Sequence, residues 1–180
     1  MVELEVIRKF LPHLGTDLQK AFAQEGILKE IPAHTEVMQE GKHVTLIPLV
    51  LEGLIKVYTR NEDRELLLYY IEPRESCVMS FLAGIKNQPS KIFATTELPS
   101  KLLLLPARSV ETWVEKFPGL NYLFYDLYNT RYSELIDTLN QLIFQRLDVR
   151  IFEYLKEKSR VTATKLLDLR HREIAQELGT

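Results

Sequence analysis

The sequence predicts an α+β fold: an antiparallel β-roll with flanking helices, then a long helix, then part of a helix-turn-helix. Three observations carry this reading. All eight prolines lie at or before Pro118, and neither Gly nor Pro occurs between Gly119 and Gly179. Both residues mark turns and interrupt helices, so the first part reads as short elements joined by tight turns and the second as long helices. The runs Gly26 to Ile31, Val44 to Leu51, Leu54 to Tyr58, Leu66 to Ile71, Ile92 to Glu97 and Lys101 to Leu105 are rich in Val, Ile, Leu, Tyr and Thr and are bounded by turn-like clusters, as strands are. The third observation is the amphipathic stretch ending in Gly179.

Glu52-Gly53 ahead of Leu54 to Tyr58, and Asn61-Glu62-Asp63-Arg64 ahead of Leu66 to Ile71, predict two successive hairpins. Evenly spaced short strands favour a closed barrel or roll. Leu4, Ile7, Leu11 and Leu14 fall at helical spacing, and Ser109 is placed to cap a helix carrying Val110, Trp113 and Val114. Both helices read as covers for the ends of the roll.

From about Leu120 to Arg146 one helix of roughly 27 residues is expected, about 40 Å long. Phe124, Tyr128, Arg131, Leu135, Thr138 and Leu142 follow one another at alternating spacings of four and three, the pattern of a two-stranded coiled-coil seam. Packed against its symmetry mate, this stripe makes a homodimer; laid on the roll of its own chain, it makes a cover. Arg131 and Thr138 are the polar positions that would set register. The expected division is residues 1–117 for the roll, 118–146 for the dimerisation helix and 147–180 for the start of a third unit.

Composition bounds the partners. A chain of 180 residues with 46% hydrophobic and 27% charged content suffices for one full core and a small appendage. The net charge of -2 gives no hint of nucleic acid or of an anionic membrane. From Arg146 onward eight basic residues face six acidic ones, a local +2, which permits DNA binding without requiring it. Cys77 is the single cysteine, which excludes an intrachain disulfide and any zinc or iron–sulfur site built from several thiolates of one chain. The N-terminus Met1-Val2-Glu3-Leu4-Glu5 lacks a signal-peptide pattern and no apolar run is long enough to span a bilayer, so a soluble, cytoplasmic protein without a membrane partner is expected.

In Leu169-Arg170-His171-Arg172-Glu173-Ile174-Ala175-Gln176-Glu177-Leu178-Gly179-Thr180, Ile174 and Leu178 lie one turn apart on the core side. Ala175 is small enough for a second helix to cross closely, and Gly179 supplies the left-handed backbone of a tight turn. These twelve residues resemble the first helix and turn of a helix-turn-helix, with Arg170, His171, Arg172, Ala175, Gly179 and Thr180 as its DNA-side candidates. The base-reading helix would begin where the sequence stops, so a truncated DNA-binding unit is expected.

The order of parts resembles the Crp/Fnr family of regulators. Glu52-Gly53-Leu54-Ile55-Lys56-Val57-Tyr58 and Arg64-Glu65-Leu66-Leu67-Leu68-Tyr69-Tyr70-Ile71-Glu72-Pro73-Arg74-Glu75-Ser76-Cys77 look like that family's central roll segment. The resemblance implies a cyclic-nucleotide-binding-like jelly roll, a homodimer, DNA bound through a complete C-terminal winged helix-turn-helix, RNA polymerase as a partner, and a small-molecule effector in the roll. By alignment with the family, Met79, Ser80, Phe81, Ser90 and Lys91 fall on the effector cassette.

Departures from the family pattern narrow the effector. Cyclic-nucleotide binders carry Gly-Glu at the start of the cassette and Arg-Ser near its end; here the positions read Met79-Ser80 and Ser90-Lys91. The ribose-binding carboxylate and the bidentate guanidinium are absent, and Lys91 is only a point charge. Arg74 replaces a turn glycine frequent before the cassette. Cyclic AMP is therefore not expected to bind, an iron–sulfur cluster lacks its cysteines, and Cys77 reads as a small buried hydrophobe rather than a haem ligand. The effector stays unassigned. A cupin-like metal enzyme would need a His-x-His pair, which His13, His34, His43 and His171 do not form. With no nucleophile elbow or phosphate-cradling glycine loop either, the chain reads as a non-enzyme. A module for effector binding or dimerisation without DNA is the alternative to a regulator.

Overall fold

The structure is a computed structural model that describes residues 2–62 and 64–180. Met1 and Asp63, named above in the N-terminal flank and the second hairpin, lie outside the described residues. Two long strands, β3 (Leu46–Asn61) and β5 (Phe93–Pro106), run antiparallel from Leu46↔Pro106 to Tyr58↔Phe93. Strand β1 (Ile27–Ile31) pairs with the second half of β5, β2 (Glu36–Met38) with its first half, and β4 (Arg64–Ile71) with the second half of β3. The strand order is β1-β5-β3-β4, with β2 also on β5.

Segments 44–51 and 54–58, predicted as separate strands with a hairpin at Glu52-Gly53, are one bent strand. The register shifts between Val50 and Ile55, and Gly53 sits in the bend at φ +94°. A Cβ at Gly53 would collide with Ser100 and with the Pro99 carbonyl oxygen. Glycine therefore marks a bulge and a close backbone approach, not a reversal. Segments 92–97 and 101–105 merge into β5 through Leu98-Pro99-Ser100, which lies opposite the Gly53 bend, and Ser100 Oγ accepts the Leu54 N–H at 3.2 Å across it. The second hairpin is present, closing at Asn61↔Arg64.

Successive residues of the paired strands face opposite ways, so Leu49 and Leu51 enter one apolar cluster and Val50 between them enters another. On one side α1 (Leu4–Phe10), α2 (Thr16–Glu25) and α4 (Ala107–Lys116) cover Ile47, Leu49, Leu51, Leu103 and Leu105, with the Phe22 and Trp113 rings 5.2 Å apart. On the other, Val50, Ile55, Val57, Ile71, Cys77, Ile92, Ala94 and Leu102 fill the roll. Helix α3 (Val78–Ile85) bridges the two clusters. Ser109 does not cap α4, which starts at Ala107 after Pro106; its hydroxyl donates to Glu25 instead. Helices α5 (Pro118–Phe144), α6 (Leu147–Val161) and α7 (His171–Glu177) complete the chain. Pro118 opens α5 at its first position, where its missing N–H costs nothing. Among the described residues no helix is long and apolar enough to cross a membrane.

Candidate functional site

Helix α5 carries two apolar stripes. Leu120, Phe124, Leu127 and Arg131 are buried against the roll of the same chain, and the Phe124 ring stacks on Phe81 of α3 with centroids 3.4 Å apart. Tyr125, Tyr128, Tyr132, Leu135 and Leu139 are exposed at spacings of three and four, and Leu142, half-buried, continues that row. The predicted seam is thus divided. Tyr128, Leu135 and Leu142 belong to the outward row, whereas Phe124 and Arg131 turn to the roll and Thr138 returns its hydroxyl to the Glu134 carbonyl at 2.9 Å. The exposed row differs from the predicted one by one residue in half its positions, with Tyr125, Tyr132 and Leu139 outward where Phe124, Arg131 and Thr138 turn inward or bond within the helix. One residue is about 100° of helical turn, and two interleaved heptad rows make either reading possible in sequence. The roll supplies the deciding partners.

Chief among these partners is the environment of Arg131. Its guanidinium pairs with Glu75, donates to Glu134 at 2.7 and 2.9 Å, and lies 4.6 Å over the Tyr69 ring. Burial alone would lower its pKa, but the two carboxylates outweigh burial and raise it. The Glu134 carboxyl is pushed up by burial in spite of Arg131. Tyr69 is driven well up by burial, and its hydroxyl lies 4.0 Å from Cys77 Sγ. At 1% exposure Cys77 is a filler of the roll.

The five cassette candidates do not converge on an open pocket. Met79 packs on the roll cluster, Ser80 is fully buried with its hydroxyl 3.3 Å from Met38 Sδ, and Phe81 is taken by the stack on Phe124. Ser90 Oγ donates to the Ile92 carbonyl at 2.9 Å, while Lys91 is exposed. Arg74 has φ +77°, so it stands where a glycine would be unstrained. His34 and His43 are exposed, and no group of three His, Cys, Asp or Glu suited to a metal occurs among the described residues.

The C-terminal segment docks on the outside of the roll. The Arg170 N–H donates to Glu173 at 2.8 Å, opening α7; Arg170, His171 and Arg172 are exposed, Ala175 is half-buried, and Gly179 adopts φ +68° with the Thr180 hydroxyl 3.4 Å from the Ala175 carbonyl. Leu178 bridges to Leu66 of β4. Beneath α7 a buried ion cluster joins five elements. Lys56 of β3 meets Glu177 of α7 at 2.9 Å and Glu65 of β4 at 3.8 Å, and Lys158 of α6 meets Glu97 of β5 at 2.8 Å and Glu177 at 3.4 Å. Burial pushes the Glu177 carboxyl up, but Lys56 and Lys158 outweigh it and hold the group below its ordinary value. Lys56, opposed by burial and favoured mainly by Glu177, is raised.

Beside this cluster lies a cleft of about 300 Å³ walled by β4, α5, α6 and α7. It contains none of the residues singled out as effector cassette. Its acidic lining and the tyrosines Tyr70 and Tyr154 were not legible beforehand, because their neighbours are far apart in sequence.

No family model matches the sequence, and no curated protein matches it. Solved structures do. A protein described as a transcriptional regulator of the Crp/Fnr family from Eubacterium rectale superposes with a TM-score of 0.83 at 22% identity, covering 94% of this chain and 79% of that one. The c-di-GMP responsive global regulator CLP of Xanthomonas campestris gives 0.78 at 17% identity, covering 92% and 85%. Thermus thermophilus catabolite activator protein gives 0.60 at 21%, covering 95% and 79%. The chain has the fold of Crp/Fnr regulators, with a cyclic-nucleotide-binding-like roll.

Proposed function

We propose that this chain is the sensor, dimerisation and initial DNA-binding portion of a homodimeric transcription regulator of Crp/Fnr type. The observation that carries the reading is α5 itself. One of its faces is committed to the roll through Phe124 and Arg131, and the other leaves Tyr125, Tyr128, Tyr132, Leu135 and Leu139 exposed at heptad spacing. A row of that kind is a coiled-coil seam in need of a partner, and a second copy supplies an identical row. In such a dimer the two rolls flank the paired helices and the two α7 segments are carried at a fixed separation, as recognition of a two-fold DNA site requires. DNA is engaged through the complete helix-turn-helix that α7 begins, with RNA polymerase as the downstream partner.

Cyclic AMP is not the effector in this reading. A cyclic phosphate needs a guanidinium or a row of backbone donors at the cassette, and Ser80 and Ser90 are buried with their hydroxyls already engaged. Calorimetric titration should show no saturable cyclic AMP binding; micromolar affinity would overturn that point. Light scattering of the chain should give twice the monomer mass. The gene product should retard duplex DNA with an affinity that falls steeply as salt rises, because phosphate contacts release counterions. A stable dimer indifferent to DNA would leave a dimerisation module instead, and a monomer would remove the basis of the reading.

A further inference from the structure

Helix α7 spends on the roll a face that its own sequence suits to another helix. With seven residues it is too short to hold its shape without a partner surface, and its principal neighbour is β4. Leu178 forms an antiparallel bridge with Leu66 and is 9% exposed, while Glu177 is buried against Lys56. A Cβ on Gly179 would stand 3.6 Å from Leu66 and 3.7 Å from the Glu65 carbonyl oxygen. The left-handed turn and the apolar residue before it are thus both seated on the strand. In a helix-turn-helix the same two residues have a different use. Leu178 faces the second helix, and Gly179 turns the chain so that this helix crosses close to Ala175. Seat and motif compete for one side chain, and Ile174 and Ala175 stay only half-buried in the seated form.

A second observation concerns the chemistry of the seat. The C-terminal helices meet the roll through Lys56–Glu177, Lys158–Glu97 and Arg160–Glu72 at 2.9, 2.8 and 2.7 Å, with Leu66 and Leu178 as an apolar contact among them. Ions regain water when such a surface parts, whereas a purely apolar surface has nothing to regain. Polar interfaces within one chain are accordingly the ones that open and close. Residues 162–170, which join α6 to α7, form neither helix nor strand. The position of α7 is therefore set by its own contacts and not by continuation of α6.

We propose that α7 on β4 is an autoinhibitory contact: seated there, it withholds Leu178 and Gly179 from the helix-turn-helix, and DNA is bound by the form in which α7 has left the strand. This deepens the regulator reading and rests on it. The apparent affinity for DNA is then the intrinsic affinity multiplied by the fraction of molecules in which α7 is free. Released, α7 stays tethered through α6 to the paired α5 helices, so the separation of its two copies is still set by the dimer. The roll acts on DNA binding by holding or yielding one short helix.

The test uses the full gene product and two substitutions on the roll, Leu66→Ser and Lys56→Gln, which leave every residue of α7 in place. Each should raise the affinity for a pool of random-sequence duplex DNA about tenfold and make opening of the α7 amides in hydrogen exchange about tenfold more frequent. Lys56→Gln removes a positive charge, which by itself weakens DNA binding, so a gain in that variant reports release. It also carries the test alone if Leu66→Ser fails to fold. Leu28→Ser, on the exposed surface of β1 at the opposite edge of the sheet, should change neither readout. A contact that only supports the fold gives the opposite sign, weaker DNA binding once α7 is loosened. Unchanged or weaker DNA binding in the variants, or α7 amides that open no faster, would overturn the autoinhibitory contact while DNA binding by the parent keeps the regulator reading. No DNA binding by parent or variants would overturn both.

Discussion

Removing the ammonium of Lys158 tests whether the buried ion cluster holds α7 on the roll. Lys158 is 4% exposed, and its Nζ lies 2.8 Å from Glu97 and 3.4 Å from Glu177. Lys158→Met keeps the length and apolar stem of the side chain while deleting the charge. At an effective dielectric of 20, each pair at these separations attracts by about 5 kcal/mol, and desolvation of each ion offsets several kcal/mol of that. Stripping one partner from a buried pair typically costs about 3–5 kcal/mol. The lower end applies here, because Glu177 retains Lys56 at 2.9 Å, whereas Glu97, whose side chain is 14% exposed, loses its one ion-pair partner among the described residues. The expected loss is therefore about 3 kcal/mol. Hydrogen exchange of the α7 amides reads it directly, as opening about a hundredfold more frequent than in the parent. Adding Glu97→Gln should recover at least about 1 kcal/mol, since the orphaned carboxylate goes with it. A single-variant effect under about 1 kcal/mol, or a double variant equal to the sum of the two singles, would refute the reasoning.

Leu135→Asp should dissociate the proposed dimer while leaving the roll folded, whereas Phe124→Ala should cost about 3–5 kcal/mol in urea unfolding by emptying the stack on Phe81. Sedimentation and the fluorescence of Trp113, the single tryptophan, separate the two, and dissociation caused chiefly by Phe124→Ala would place Phe124 in the seam instead. Gly53→Ala should destabilise by about 3 kcal/mol or more, combining left-handed strain with the collision at Ser100; a melting temperature within about 2 °C of the parent would contradict the bend. Docking of α7 should be flat through neutral pH. Glu177, lowered from 4.5, stabilises above that value and is lost as pH falls through its folded pKa, while Lys56, raised from 10.5, stabilises below that value and is lost as pH rises through its folded pKa. Glu65, Glu97, Tyr70 and Tyr154 face the same cluster, and limited proteolysis showing α7 loosened between about pH 6 and 9 would contradict this balance.

Strands and the long helix were legible because each repeats one local rule over many residues: bulky β-formers between turn clusters, and an uninterrupted stretch without Gly or Pro. Glycine in a bulge and glycine in a turn leave the same trace, so Gly53 was misread as a reversal. Helix α2 did carry a signal, Leu18 and Phe22 one turn apart with Ala23 beside them, all buried, but it stood next to the stronger pattern of α1. Helix α3 had none, since Val78, Met79, Phe81, Leu82, Ala83 and Ile85 are apolar on every side, and such a run does not declare a period. Which residues of α5 face outward was only partly legible for a related reason, as two heptad rows one residue apart compete on it. The ion cluster was beyond reach: Lys56 and Glu177 are 121 positions apart, and only the docking of α7 on β4 unites them.

Strands β3 and β5 each traverse the bend and contribute to both apolar clusters. Neither cluster can lose its order without tearing hydrogen bonds from a backbone that the other still uses. The roll should therefore melt in one cooperative transition, and the indole of Trp113 on one side reports events on the other.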